Sequence, residues 1–173
     1  LTVKGTDDPL QFAEVLQAIR PADAADALNE LSRALAVRVV EAMDLVAAVQ
    51  IFNQSNLDQP SRLLEEVQVD RAVDILFAVR PDRRAVLARK LGAETRGRLL
   101  PRLEPMVREA LNQLLAYPPQ TAAGIMTTEF IWVLADWTVG QTLQLIRNVG
   151  GGKEAIYTIC VLDPETKVLR AVV

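Results

Sequence analysis

The sequence predicts a mainly α fold: a right-handed superhelix of short helix pairs over residues 1–116, a junction at 117–128, and an incomplete α/β segment over 129–173. Three observations carry that prediction. A repeat of 24 residues runs from residue 19 to about 114. Within each unit the apolar residues fall at i, i+3, i+4 and i+7, the period of one helix face. After Pro118 and Pro119 that period gives way to short apolar runs separated by turn residues.

Four segments align without a gap: "IRPADAADALNEL" from 19, "MDLVAAVQIFNQS" from 43, "VQVDRAVDILFAV" from 67 and "LGAETRGRLLPRL" from 91. Their ninth position reads Ala27, Ile51, Ile75, Leu99, and their tenth Leu28, Phe52, Leu76, Leu100. Later in the unit Val39, Leu63, Leu87 and Leu111 coincide as well. Each unit reads as two short helices, with reversals expected near 32, 56, 80 and 104. Ala24, Ala27, Leu28 and Leu31 form one stripe, and Ala72, Ile75, Leu76 and Val79 repeat it. Pro21 and Pro81 stand where a helix can begin, and Asp23 and Asp82 suit the first-turn dipole. A two-turn helix is unstable alone, so the stripes predict stacking of unit on unit, as in solenoids. Such stacks serve as binding or regulatory surfaces.

The second grammar begins with an extended run, Phe130 to Leu134. "TVGQTLQLIRNVG" reads as a helix with Val139, Leu143 and Ile146 on one face, broken by Gly150, Gly151 and Gly152. A strand is expected over 155–163, a turn at "PETK", and a last strand over 168–173.

Composition narrows the function. Half of the chain is hydrophobic but only 5% is aromatic, so the core is expected to be aliphatic. Histidine is absent, which removes histidine-based triads and histidine-ligated zinc. The single cysteine, Cys160, allows no internal disulfide and is expected to be a small buried hydrophobe. No apolar run reaches the ~18 residues of a membrane span, and no secretory signal is visible. The chain starts without Met, so a piece of a longer protein is expected. There is neither a nucleophile elbow nor a Gly-rich phosphate loop, so no enzyme is expected and no catalytic or cofactor-binding residue is assigned.

The net charge of −3 is uneven. Residues 1–79 hold 6 basic and 13 acidic groups, and residues 80–108 hold 9 basic and 3 acidic. The basic block reads as a solvated helix face, because its arginines are scattered and have no interleaved aromatics to stack bases; no nucleic-acid partner is expected.

The order strand, helix, strand, turn, strand resembles the first half of a cystathionine-β-synthase (CBS) domain. Residues 117–131, with Tyr117, Pro118, Pro119, Thr121, Ala122, Gly124, Met126, Thr127, Glu129 and Phe130, resemble the element "YPPxTAGxxMTxEyv". In the MgtE family of magnesium channels that element joins a helical superhelix to paired CBS domains. "IRPADAADALNEL" is similar to that family's repeated helix-start motif. The resemblance covers roughly residues 15–173. It implies a Mg²⁺-sensing regulatory region on the cytoplasmic side of the membrane. Low-affinity Mg²⁺ at acidic interfaces would screen repelling carboxylates and hold the channel closed. It implies partners in the protein's own downstream CBS and transmembrane domains, and a homodimer at full length. The family's acid at the start of the third-unit helix falls on Asp70, with Asp74 one turn later, and these are the expected metal ligands. A family glutamate in the second unit falls on Gln50, which is neutral. The aromatic that stacks on adenine in one subset of the family falls on Thr158, beside Tyr157, and nucleotide binding is not expected of this segment. The alternative is a free-standing scaffold or signalling protein built from the same parts without transport.

Overall fold

In the computed structural model of the chain, residues 8–121, 130–149 and 158–173 are described. The chain divides into two compact units, Leu1–Met126 and Thr127–Val173. The predicted features at Ala122–Glu129, at the three glycines and at Ala155–Tyr157 lie outside the described residues.

The first unit is helical: α1 (Pro9–Gln17), α2 (Pro21–Asn29), α3 (Arg33–Ala42), α4 (Leu45–Phe52), α5 (Pro60–Glu66), α6 (Val69–Ala78), α7 (Pro81–Lys90), α8 (Ala93–Leu99), a 3-10 turn (Leu100–Arg102) and α9 (Pro105–Ala116). Helices α2, α4, α6 and α8 start at 21, 45, 69 and 93, in step with the 24-residue repeat. Proline occupies the first helical position of α1, α2, α5, α7 and α9, where its fixed φ is already helical and its missing N–H has no partner to lose. Asp8 before Pro9 caps α1 by accepting the Leu10 N–H at 3.0 Å. That Asp-Pro pair is the sequence signal for a helix ahead of the first repeat.

The helices stack in two rows. One row runs α2, α4, α6, α8, and the other α1, α3, α5, α7, α9, each helix packing on the next of its row. The repeat positions fill the space between. Val39, Leu63, Leu87 and Leu111 are all buried, as are Leu28, Phe52 and Leu76. Ala27 and Leu100, at the two ends of the stack, are only half-buried, because each has a neighbouring layer on one side alone. Removing a Leu side chain from water stabilises the fold by about 1.5–3 kcal/mol, and the stack multiplies this along its length.

The register slips once. The repeat places the start of α5 at 57, but the helix begins at Pro60. Gln59 adopts a left-handed backbone (φ 45°), and Leu57 turns into the core. The longer connection is tied down by Asn29. Its Nδ2 donates to the Asn56 carbonyl at 2.8 Å, and its Oδ1 accepts the Asp58 N–H at 2.8 Å.

The second unit contains β1 (Ile131–Leu134), α10 (Val139–Val149), β2 (Ile159–Leu162) and β3 (Leu169–Val172). The order β1-β2-β3 pairs β1 parallel to β2, with Ile131 opposite Ile159, and β2 antiparallel to β3, with Cys160 opposite Val172. Element order agrees with the sequence reading; β1 starts one residue later than expected, β2 ends one residue earlier, and β3 is one residue shorter at each end. Phe130 stays outside β1, and Asp163 belongs to the β2–β3 turn, where its carboxylate accepts the Thr166 N–H at 2.8 Å. Thr138 and Gln141 form a capping box at the start of α10: the Gln141 N–H donates to Thr138 Oγ1 at 3.3 Å, and the Thr138 N–H to Gln141 Oε1 at 2.8 Å. The inward face of α10 is offset from the expected stripe. Thr142, Leu145 and Ile146 are half-buried, while Val139 and Leu143 are exposed. Leu145 and Ile146 set that face together, and Val139 sits at the solvent-facing first turn. Cys160 is half-buried rather than buried, because it lies in a sheet whose β3 strand is exposed throughout. The molecule is thus mostly helical with a small C-terminal sheet.

Candidate metal site on the helical unit

Helix α6 presents Asp70, which the resemblance selects, and Asp74 one turn later. Its N-cap residue Gln68 donates its N–H to Glu41 Oε1 on α3 at 2.9 Å, which fixes the start of the helix. Between the two acids, Arg71 reaches back to the end of α3. Its Nε and Nη2 donate to the Val40 carbonyl at 3.2 and 3.1 Å, and Nη2 also to that of Met43. That arrangement pins α6 and leaves its acidic face outward. The Asp70 side chain is 89% exposed in the first turn. Asp74 is exposed one turn later and makes no hydrogen bond or ion pair with another described residue. At i and i+4 they share a face.

Asp70 has a partner that the sequence reading did not anticipate. Its Oδ1 accepts a charged hydrogen bond from Arg102 Nη1 at the end of the 3-10 turn. Arg102 lies 32 residues away and belongs to the next repeat, so no local pattern announces the pair.

Gln50 is exposed on α4, at the repeat position that Asp74 holds on α6. Two acids of α2 are already engaged. Asp23 accepts Arg20 Nε at 2.7 Å, and Asp26 accepts Asn56 Nδ2 at 2.6 Å. Among the described residues no group of three or more acidic or thiol side chains could cage a metal. Mg²⁺ does not need one, since it keeps several waters and is commonly held by one or two carboxylates. The donors on α6 therefore fit Mg²⁺: hard oxygens, exposed and close in the helix, with a guanidinium already standing as a cation at Asp70.

The basic block is only in part the solvated face that the sequence suggests. Four of its arginines satisfy helix-end carbonyls, which have no intrahelical partners. Arg84, almost fully buried, donates to the carbonyls of Leu76 at 2.7 Å, Phe77 at 2.5 Å and Val79 at 2.8 Å, closing α6. Arg83 donates to Phe52 and Gln54 at 2.8 and 2.7 Å, closing α4. Arg96 closes α7 through Arg89 and Leu91, both at 3.0 Å, and Arg89 closes α9 through Leu114 and Tyr117. Burial, and then the nearby Arg80 charge, lower the Arg83 pKa from its ordinary value.

No described helix is long and apolar enough to cross a membrane.

Comparison with known proteins places these features. The model of the MgtE intracellular N domain matches residues 19–120. The magnesium transporter MgtE of Enterococcus faecalis (strain ATCC 700802 / V583) is 34% identical over 62 residues, which cover 36% of this chain and 14% of that relative's length. The crystal structure of the cytosolic domain of the Mg²⁺ channel MgtE in complex with ATP matches with a TM-score of 0.84 at 26% identity, over 96% of this chain and 68% of that one. The soluble part of a magnesium transporter matches with a TM-score of 0.81 at 23% identity, over 95% of this chain and 65% of that one, and speaks for the fold. The relatives are thus magnesium transporters and channels, and the match to the N domain spans more than half of the sequence: the chain belongs to the MgtE family.

Proposed function

We propose that this chain is the cytosolic, Mg²⁺-responsive regulatory region of a magnesium channel or transporter. Mg²⁺ held at Asp70, with Asp74 assisting, screens the acidic side of the helical unit toward the rest of the protein. The observation that carries the reading is the outward pair of carboxylates on α6, in a chain of this family. Residues 1–79 hold 13 acidic against 6 basic groups, an excess that repels acidic neighbours. Two like charges 4 Å apart repel by about 4 kcal/mol at an effective dielectric constant near 20. A divalent ion reverses that sign. When Mg²⁺ is scarce the ion leaves, repulsion returns and the regulatory region loosens, which frees the gate. The full-length protein would act as a homodimer, with the regulatory region joined to its own downstream CBS and transmembrane parts. Adenine stacking is not part of the proposal, because Thr158 stands where an aromatic ring would be needed.

Limited proteolysis of the full-length protein across a Mg²⁺ titration, at constant ionic strength, tests the reading. Wild type is expected to gain protection in roughly the millimolar range, as at water-rich Mg²⁺ sites. Asp70→Asn is expected to need more Mg²⁺ for the same protection. Identical curves would reduce Asp70 to a helix-start residue. If neither protein responded to Mg²⁺, the sensing role would fall and the scaffold alternative would replace it.

A further inference from the structure

We infer that Arg102 is a tethered counter-ion that occupies Asp70 when divalent ion is scarce and opposes the ion at that carboxylate, so that it sets the Mg²⁺ concentration at which α6 responds. The inference rests on the reading of Asp70 as a ligand and adds to it a competitor supplied by the protein itself.

The geometry sets the two cations against each other at one carboxylate. Arg102 Nη1 already holds Oδ1, one of the two carboxylate oxygens. A guanidinium left at that oxygen repels a divalent ion approaching the same carboxylate, so its departure favours binding. The guanidinium is also poorly free to wander at its base. Leu99 and Leu103 on either side of the 3-10 turn are buried, so the backbone at Arg102 is anchored while its head reaches across to the neighbouring repeat. The head itself is replaceable. The Arg102 side chain is 54% exposed and that of Asp70 89%, and exposed pairs of this kind are weak. Asp74 has no partner among the described residues and remains available throughout. A weak, fixed competitor of this kind keeps the site from binding stray monovalent cations and delays its response to Mg²⁺. The strength typical of an exposed pair corresponds to about a two- to fivefold rise in the half-saturating Mg²⁺ concentration.

The test is a MgCl₂ titration of the 173-residue chain followed by the backbone amide NMR shifts of residues 69–75, with KCl held so that ionic strength is constant. Mn²⁺ broadening of the same amides serves as a second readout. The variants are Arg102→Gln, Arg102→Lys and Asp70→Asn, each checked for an unchanged circular dichroism spectrum. Arg102→Gln is expected to lower the midpoint about two- to fivefold, while Arg102→Lys, which keeps the charge, stays near wild type. If Arg102→Gln left the midpoint unchanged while Asp70→Asn abolished the local shifts, Arg102 would be no competitor and Asp70 would still be a ligand. If Arg102→Gln raised the midpoint, the arginine would be helping to position the carboxylate, and the inference would be wrong. If Asp70→Asn titrated like wild type, the ligand reading would fall and this inference with it.

Discussion

Glu65 and Gly92 are joined across a repeat boundary: the Glu65 carboxylate accepts the Gly92 backbone N–H at 2.6 Å. The same link recurs one repeat earlier, where Glu41 accepts from Gln68 at 2.9 Å, and again where Gln17 accepts from Asp44 at 2.7 Å. In each case an acceptor near the end of one helix holds the N-cap of the first helix in the next unit. One repeat later the position is Arg89, a donor, and it reaches the carbonyls that end α9 instead. The chain of links therefore changes sign where the stack ends.

Glu65→Ala should lower stability by about 1 kcal/mol, the usual cost of a lost cap, and Glu65→Gln, which keeps an acceptor oxygen, by less. Urea unfolding followed by circular dichroism measures both. Gly92→Ala belongs to the same test. A Cβ there would stand 3.3 Å from Glu65 Oε1, a flexible end that can yield, and alanine restricts the unfolded chain. The two effects oppose, and the expected change is within about 0.5 kcal/mol of zero. A loss well above that would mean that the Glu65 carboxylate is rigidly held.

Phe52 and Leu76 occupy one repeat position in α4 and α6, and both are fully buried. Phe52→Ala should cost about 3–5 kcal/mol and Leu76→Ala about 2–5 kcal/mol, through lost burial and the cavity left behind. Denaturant midpoints decide the matter. A change inside about 0.5 kcal/mol, the range of ordinary surface substitutions, would contradict the layer packing.

Arg84→Met keeps much of the side-chain volume but leaves three carbonyls at the end of α6 without their donor. A loss of about 2–4 kcal/mol is expected, since unpaired buried polar groups are costly. Arg84→Lys should recover only part of it, because one ammonium cannot reproduce the planar fork. Full stability in Arg84→Met would show that water replaces the guanidinium without cost.

Asp163 supplies a pH dependence. Its carboxyl is held well below the ordinary carboxylate range, first by the Thr166 N–H, then by the Arg170 guanidinium and the Thr166 hydroxyl. A lowered native pKa means that the unfolded chain takes up the proton first as pH falls. The contribution to stability is complete above the unfolded value, about 4, and is lost as pH drops below it toward the native value. Hydrogen exchange at Thr166 should therefore be steady from pH 5 to 8 after correction for intrinsic rates, and lose protection below about 4. Asp163→Asn should be less protected at neutral pH and show a flatter profile. Equal protection at every pH would remove the carboxylate from the turn's stability.

Much of the helical unit was legible because it is periodic. Pro21 and Pro81 start helices as expected, and the reversals fall near 32, 56, 80 and 104. The late start of α5 was not legible. Nothing in "NQSNLDQP" before Pro60 says that Gln59 will turn left-handed, and the contacts that hold the connection come from Asn29 and Asn56, over separations of 27 residues and more. The offset of α10 has a similar cause. Val139 and Leu143 are spaced as well as Leu145 and Ile146, and only the folded unit decides which residues turn inward.

The candidate site divides along the same line. Asp70 and Asp74 are candidates that the sequence alone offers, since i and i+4 share a helix face whatever the surroundings and the resemblance puts a family acid at Asp70. Arg102 is not one of them. Hydrophobic period and helix-start chemistry are properties of neighbouring residues, so the sequence by itself determined the repeat, the buried stripes and the family. A guanidinium on a long flexible arm takes whichever carbonyl or carboxylate the fold brings within reach. Only the tertiary structure decided that Arg84 closes its neighbouring helix, that Arg83 and Arg89 close helices a repeat away, and that Arg102 stands at Asp70.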